Sequence, residues 1–374
     1  MSHVIIFLGA LCCGLIFTPL MIRLAHILDI LDKPNPHNPG KIHRQPIALL
    51  GGVAIYLTVL VISGFVLDWN LRILGLFSAL TVIMLLGLID DLRGLDYKVR
   101  LGVQFLVALF IVFGLDIKIA FLAEYPFIGY PLTLLWIVGV TNALNLMDNV
   151  DGATGGVSFI AALGLFGFAV LTGNTVVATL SVTLAGAVLA FLRFNFKPAR
   201  IFLGDTGSLL LGLFLATLAL IETQTLAPFS WHHAFIFPLL LGVPIYDTTL
   251  ATLLRIYYGR PVYLADKSNL TYRLFDVGFS QLQTVFIEYG MGIYFLLCAM
   301  TLWWAPPAHG IFLVLITVGF LTFLGTRFAK HNSTVHVAPS IKPTSSQRII
   351  SYKFRENKHR PSIEESLLAQ QTDH

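Results

Sequence analysis

The chain has 374 residues, 56% of them hydrophobic and 12% charged, with a mean hydropathy of +0.80. That balance excludes an ordinary soluble domain and reads as an all-α polytopic membrane protein. The net charge of +4 is read as topology plus affinity for an anionic leaflet, with no nucleic-acid partner expected.

Crossing the hydrocarbon core takes roughly 20 apolar residues per helix. Eleven windows qualify, at about 4–25, 47–67, 71–89, 101–116, 130–147, 155–172, 175–192, 207–222, 234–254, 284–304 and 309–326, so about 10–11 transmembrane helices are expected. Nothing basic precedes the first window and no small-residue cleavage site follows it, so it reads as a retained helix rather than a signal peptide. Cys12, Cys13 and Cys298 fall inside predicted spans and imply no disulfide framework.

Basic residues set the orientation, because cytoplasmic loops retain Lys and Arg during insertion. An outside N-terminus puts 22 of the 24 Lys and Arg on the cytoplasmic side or at its edge, all but Arg72 and Lys118. The C-terminus is then cytoplasmic. Two regions follow: a multi-pass unit over 1–327 and a polar tail over 328–374 whose composition reads as disorder.

In this topology every acidic cluster lies on the cytoplasmic side. The loop after the first span, LDKPNPHNPGKIHRQPIALLGG, carries Lys41 and His43 ahead of Gly51-Gly52. It reads as a positive-inside loop with a packing glycine pair, or as a phosphate-binding edge with Lys41 the leading partner. The third span ends in Asp90-Asp91, adjacent carboxylates that suit a hard cation or an interfacial turn. Lys98 and Gln104 follow on the next helix, within reach of a phosphate.

NALNLMDNVDG at 142–152 places Asn142, Asn145 and Asn149 on one face of a continuing helix, with Asp148 offset and Asp151-Gly152 starting a turn. Amides alone serve as interhelical glue; two aspartates beside a glycine favour a ligand or metal site. FLGDTGS at 202–208 sets Asp205 between Gly204 and Gly207. Thr206 and Ser208 read as caps of a helix starting near 207, with Asp205 able to hold a metal beside a bound anion. The last long loop, 255–280, carries Arg255, Arg260, Lys267 and Arg273, with Asp247 upstream. A basic loop over an acidic pocket suits a phosphate-bearing soluble substrate. Glu288, in the tenth span, is assigned no role.

These motifs, in this order, resemble the polyprenyl-phosphate N-acetylhexosamine-1-phosphate transferases. The resemblance spans roughly residues 30–280 and rests on K-x-H-x-x-P…GG from Lys41, DD…K at Asp90, Asp91 and Lys98, NALNLMDNVDG, FLGDTGS, and P-x-x-D from Pro244 to Asp247. It implies transfer of a sugar-1-phosphate, GlcNAc-1-phosphate foremost, from a UDP-N-acetylhexosamine to undecaprenyl phosphate, with release of UMP. It implies Mg2+ held by Asp205 and Asp148, with Mn2+ a second candidate. Asp90, Asp91, Asp148 and Asp151 take the catalytic positions. Asn142, Asn145, Asn149, Lys41, His43, Lys98 and Arg273 take the substrate-binding ones. Where many members carry His-x-His-His or His-x-Ser-His, this chain has Asn269-Leu270-Thr271-Tyr272, so Asn269 and Tyr272 are expected to contact substrate as neutral hydrogen bonders. A bacterial inner-membrane location with a cytoplasm-facing site, and a homodimer, complete the expectation. Two alternatives stay open: a catalytically degenerate member acting as a partner protein, and a transporter or flippase.

Overall fold

The computed structural model describes residues 2–33, 45–225, 231–262 and 268–331. It is helical apart from one short antiparallel pair, β1 (Leu31–Asp32) with β2 (Ile47–Ala48). The helices run in order α1 (His3–Ile27), α2 (Gly51–Val66), α3 (Leu71–Arg93), α4 (Tyr97–Leu109, continued by a π turn to Gly114), α5 (Pro126–Met147), α6 (Ala153–Thr172), α7 (Thr175–Asn195), α8 (Gly204–Thr223), α9 (Ile236–Leu240), α10 (Gly242–Tyr257), α11 (Leu270–Val277), α12 (Gln281–Trp304) and α13 (Pro307–His331). Among the described residues nine helices are long and apolar enough to cross a membrane, and ten spans result if one bent pair counts.

Each of the eleven expected windows finds a helix, with two departures. α2 has only 16 residues, about 24 Å at 1.5 Å per residue, short of the hydrocarbon thickness. The ninth window is broken: the helical segment ending at Leu240 meets α10 at 84°. Pro244 has no N–H to continue an incoming helix, and Gly242 beside the break gives the chain freedom to turn there.

α7 and α8 form the centre and are buried nearly end to end, with Phe168, Phe191 and Phe214 fully enclosed around them. Their small residues allow this closeness: α7 packs on α1, α2 and α6, while α8 packs on α2, α3, α5 and α6. α13 exposes most of its surface, as suits a lipid-facing helix.

Among the described residues, the motifs that carry Asp90, Asp91, Asn145 and Asp205 meet at one end of the bundle. At the opposite end Arg72 Nη2 donates to Gln224 Oε1 at 2.6 Å, and Lys118 pairs with Asp116 at 2.7 Å. The last helix, α13, continues to His331. The rest of the tail, Lys41, His43 and Lys267 lie outside the described residues.

Candidate active site

The glycine pair before α2 serves backbone packing. Gly51 N–H donates to Phe202 O (3.2 Å) and Gly52 N–H to Leu203 O (3.3 Å), while Phe202 N–H donates to Ala48 O (2.8 Å). A Cβ on Gly52 would stand 2.4 Å from Gly207 N, so only glycine lets α2 lie this close to α8. These contacts lock the FLGDTGS segment to the 47–52 strand and helix start.

α8 begins at Gly204, not near 207, and it is capped from another helix. Asp91 Oδ1 accepts from Asp205 N–H (2.9 Å), and Oδ2 accepts from Thr206 N–H (3.0 Å) and Thr206 Oγ1 (2.6 Å). The expected caps do other work: Ser208 Oγ bonds back to Gly204 O at 2.9 Å, and Thr206 donates to Asp91. A carboxylate at a helix N-terminus satisfies orphan N–H groups and meets the positive end of the dipole. Asp91 therefore spends both oxygens on α8.

Its neighbour points elsewhere. Asp90 is buried, accepting from Leu95 N–H (2.6 Å) and pairing with Arg100 Nη1 (2.7 Å). Arg100 also reaches toward Asp205 Oδ2, at 3.7 Å. One guanidinium thus stands between two carboxylates. Asp205 Oδ1 accepts from Asn145 Nδ2 (2.6 Å), which lies 2.9 Å from Ser208 Oγ as well.

The amides of NALNLMDNVDG divide their labour. Asn142 Nδ2 donates to buried Gln104 Oε1 and to Val138 O, joining α5 to α4 as glue. Asn145 reaches the acidic cluster. The helix stops at Met147, so Asn149 leaves the common face expected of it; it is exposed and donates to Leu146 O at 2.6 Å. Asp148 is half-buried at the helix end, and burial, reinforced by the Asp205, Asp91 and Asp151 carboxylates, pushes its carboxyl up to about 7.

Asp91, Asp148, Asn149, Asp151, Asp205, Lys197 and Arg200 line one cavity of about 830 Å³. Its floor is the 148–152 turn, where Gly152 takes φ +83°. That turn is held from both sides: Gly152 N–H donates to Asn195 Oδ1 (2.8 Å), Tyr289 OH donates to Gly152 O (2.7 Å), and Asn195 Nδ2 donates to Ile201 O (2.9 Å).

The basic loop is partly an internal structure. Asp247 is buried and accepts from Leu270 N–H and Asn269 Nδ2, the latter at 3.3 Å. Arg273 is buried, its Nε donating to Ser268 O at 2.9 Å. Glu288 is buried, with Oε1 accepting from Thr271 Oγ1 at 2.7 Å. Tyr272 is half-buried beside Phe275, and burial raises its hydroxyl above the usual range. Asn269, Tyr272 and Arg273 are not among the residues lining the acidic cavity.

Arg100, Asn195 and Tyr289 were not expected at the site. Lys98 was, yet its side chain is exposed over the Tyr97 ring at 6.0 Å. Two residues on a helix are about 200° apart, so Lys98 and Arg100 cannot share a face. Gln104, one turn beyond Arg100, was the available signal.

A cavity lined by five carboxylates, Asp32 among them, and rimmed by Lys197 and Arg200 lies at one end of the helical bundle. Residues 73–223 match the model of Glycosyl transferase family 4. A probable undecaprenyl-phosphate N-acetylglucosaminyl 1-phosphate transferase of Bacillus subtilis is 34% identical over 334 residues, covering 86% of this chain and 90% of that protein. The chain belongs to this family. Within the family it is 31% identical to a phospho-N-acetylmuramoyl-pentapeptide-transferase of Heliobacterium modesticaldum (67% of this chain, 81% of that one). It is 27% identical to an undecaprenyl-phosphate alpha-N-acetylglucosaminyl 1-phosphate transferase of Thermotoga maritima (73% and 82%).

Proposed function

We propose that this family member transfers GlcNAc-1-phosphate from UDP-GlcNAc to undecaprenyl phosphate, yielding the lipid diphosphosugar and UMP. The observation that carries the reading is the convergence of Asp91, Asp148 and Asp205 on one cavity rimmed by Lys197 and Arg200. A phosphate oxygen of the lipid carrier attacks the sugar-bearing phosphorus; that P–O bond forms as the bond to UMP breaks. Such a step needs mainly positioning and charge stabilisation.

The donor set suits magnesium. Among the described residues no three acidic, His or Cys side chains converge as a closed metal cage. Mg2+ binds through one or two carboxylates plus substrate phosphates, so it needs no such cage. Asp148 and Asp205 would hold it, and it would neutralise diphosphate charge. Asp91 orients Asp205 by fixing the start of α8. Arg100 supplies a fixed positive charge between Asp90 and Asp205, able to meet an incoming phosphate. Asn145 aims the Asp205 carboxylate.

In the cell this end of the bundle faces the cytoplasm, where UDP-sugars are available. The basic residues support that orientation, since the order of the spans in the sequence assigns all but Arg72 and Lys118 to one side of the membrane.

The test is UMP release by the purified protein with undecaprenyl phosphate, magnesium and a panel of UDP-sugars, beside Asp205→Asn. Lipid-dependent UMP from UDP-GlcNAc, lost in the variant, is the expected result. Release of UMP from no donor overturns the reading.

A further inference from the structure

Where α11 begins, three helices meet on one side chain. Asn269 is buried, 4% exposed, and its Nδ2 makes two bonds. One goes to Leu146 O at 2.6 Å, across 123 residues of sequence, and the other to Asp247 Oδ2 at 3.3 Å. An amide nitrogen has two hydrogens, so both are committed. Leu146 is in the last turn of α5, two residues before Asp148. Its carbonyl receives the Asn149 amide too.

The surroundings keep Asn269 in place. Asp247 of α10 accepts from Leu270 N–H, Arg273 of α11 bonds back to Ser268 O, and Thr271 donates to Glu288 of α12. The charged groups around it are thus Asp247 and Arg255 from α10, Arg273 from α11 and Glu288 from α12. An amide bridges Leu146 O and Asp247 without carrying charge itself. A neutral imidazole has a single N–H and could not donate to both.

We propose that Asn269 is a positioning residue. It docks the start of α11 onto the end of α5 and so fixes the direction in which the chain leaves Leu146 toward Asp148 and Asp151. It acts through the backbone of the acidic motif and makes no contact with substrate. Its effect on rate rests on the transferase reading; its effect on the 147–152 turn does not.

The experiment uses full-length protein in detergent, with Asn269→Ala, and Asn269→Ser in case the first variant does not accumulate. Hydrogen–deuterium exchange is followed in the metal-free protein, and UMP release is measured against UDP-GlcNAc concentration. The expected result is exchange about tenfold faster across 147–152, with peptides of α1 to α3 unchanged. With it comes a kcat lowered at least tenfold at a KM for the nucleotide sugar within twofold of wild type. Unchanged exchange in the turn overturns the proposal. So does a raised KM at constant kcat, which marks direct substrate contact. If the wild-type protein releases no UMP, the transferase reading fails and the exchange arm alone decides the positioning role.

Discussion

Gly204→Ala isolates the trans-capped start of α8. A Cβ at this position would stand 2.5 Å from Asp91 Oδ2 and 3.1 Å from its Cγ and Oδ1, on a backbone with φ +71°. Left-handed backbone costs a non-glycine residue about 1–2 kcal/mol. Restoring an ordinary 3.4 Å contact from 2.5 Å requires Asp91 to withdraw about 0.9 Å. Its bonds to Thr206, at 3.0 and 2.6 Å, cannot both survive that shift. Losing one charge-assisted bond adds about 1.5–3 kcal/mol, so the total is about 2.5–5 kcal/mol. With an unfolding entropy of about 2.1 cal/mol/K per residue over 374 residues, the thermal midpoint in detergent falls by about 3–6 °C. Gly139→Ala, on α5 with nothing within 4 Å, stays within about 1 °C of wild type. In an Asp91→Ala background the clash is gone, and Gly204→Ala then costs only the backbone strain. An equal loss in both backgrounds would show that Asp91 and Gly204 do not meet and would sink the capping account.

Arg100→Ala strands the buried Asp90 carboxylate and is expected to cost about 3 kcal/mol; a melting temperature unchanged by the substitution would argue against the ion pair. Asn142→Leu leaves the buried Gln104 amide without its α5 partner and costs about 1–2 kcal/mol, most of which Gln104→Leu recovers in the double variant. A nucleotide-contact role for Asn142 would instead appear as a KM effect that the second substitution leaves in place. For the proposed magnesium site, affinity measured by titration calorimetry is expected to rise from pH 6 to pH 8, because the cation would compete with the proton on Asp148, whose carboxyl burial pushes up to about 7. The gain is about tenfold, and Asp148→Asn flattens it.

The spans were legible because each is a long apolar run, and the ordered acidic motifs supplied Asp91, Asp148, Asp151 and Asp205, which line one cavity. Partnerships were harder. Nothing near Asp91 in the chain says that both its oxygens are spent on a helix 114 residues later, and local propensity assigned that cap to Thr206 and Ser208. The face shared by Asn142, Asn145 and Asn149 assumed that α5 continues, whereas the chain leaves the helix at Asp148 with ψ 65° to make the turn ending at Gly152. The bend between α9 and α10 was written in Gly242 and Pro244, but hydropathy over a window averages across it. Asn269 was expected at substrate because it stands where the resembled family carries a histidine element. Tertiary burial turned that stretch into an anchored joint.

Because the cap of α8 comes from α3, the site is assembled from pieces made at different times. Asp91 leaves the ribosome 114 residues ahead of Asp205, on the order of 6–20 s of synthesis. Arg100 follows Asp90 by only ten residues, so that ion pair can close as soon as α4 is inserted. Asp91, among the described residues, accepts all its hydrogen bonds from Asp205 and Thr206. Until α8 arrives it depends on water and headgroups at the membrane surface, and a nascent chain stalled before Gly204 holds a neutralised Asp90 beside an unclaimed carboxylate. The charge at the end of α3 is thus one that only a chain extended through Thr206 can take up.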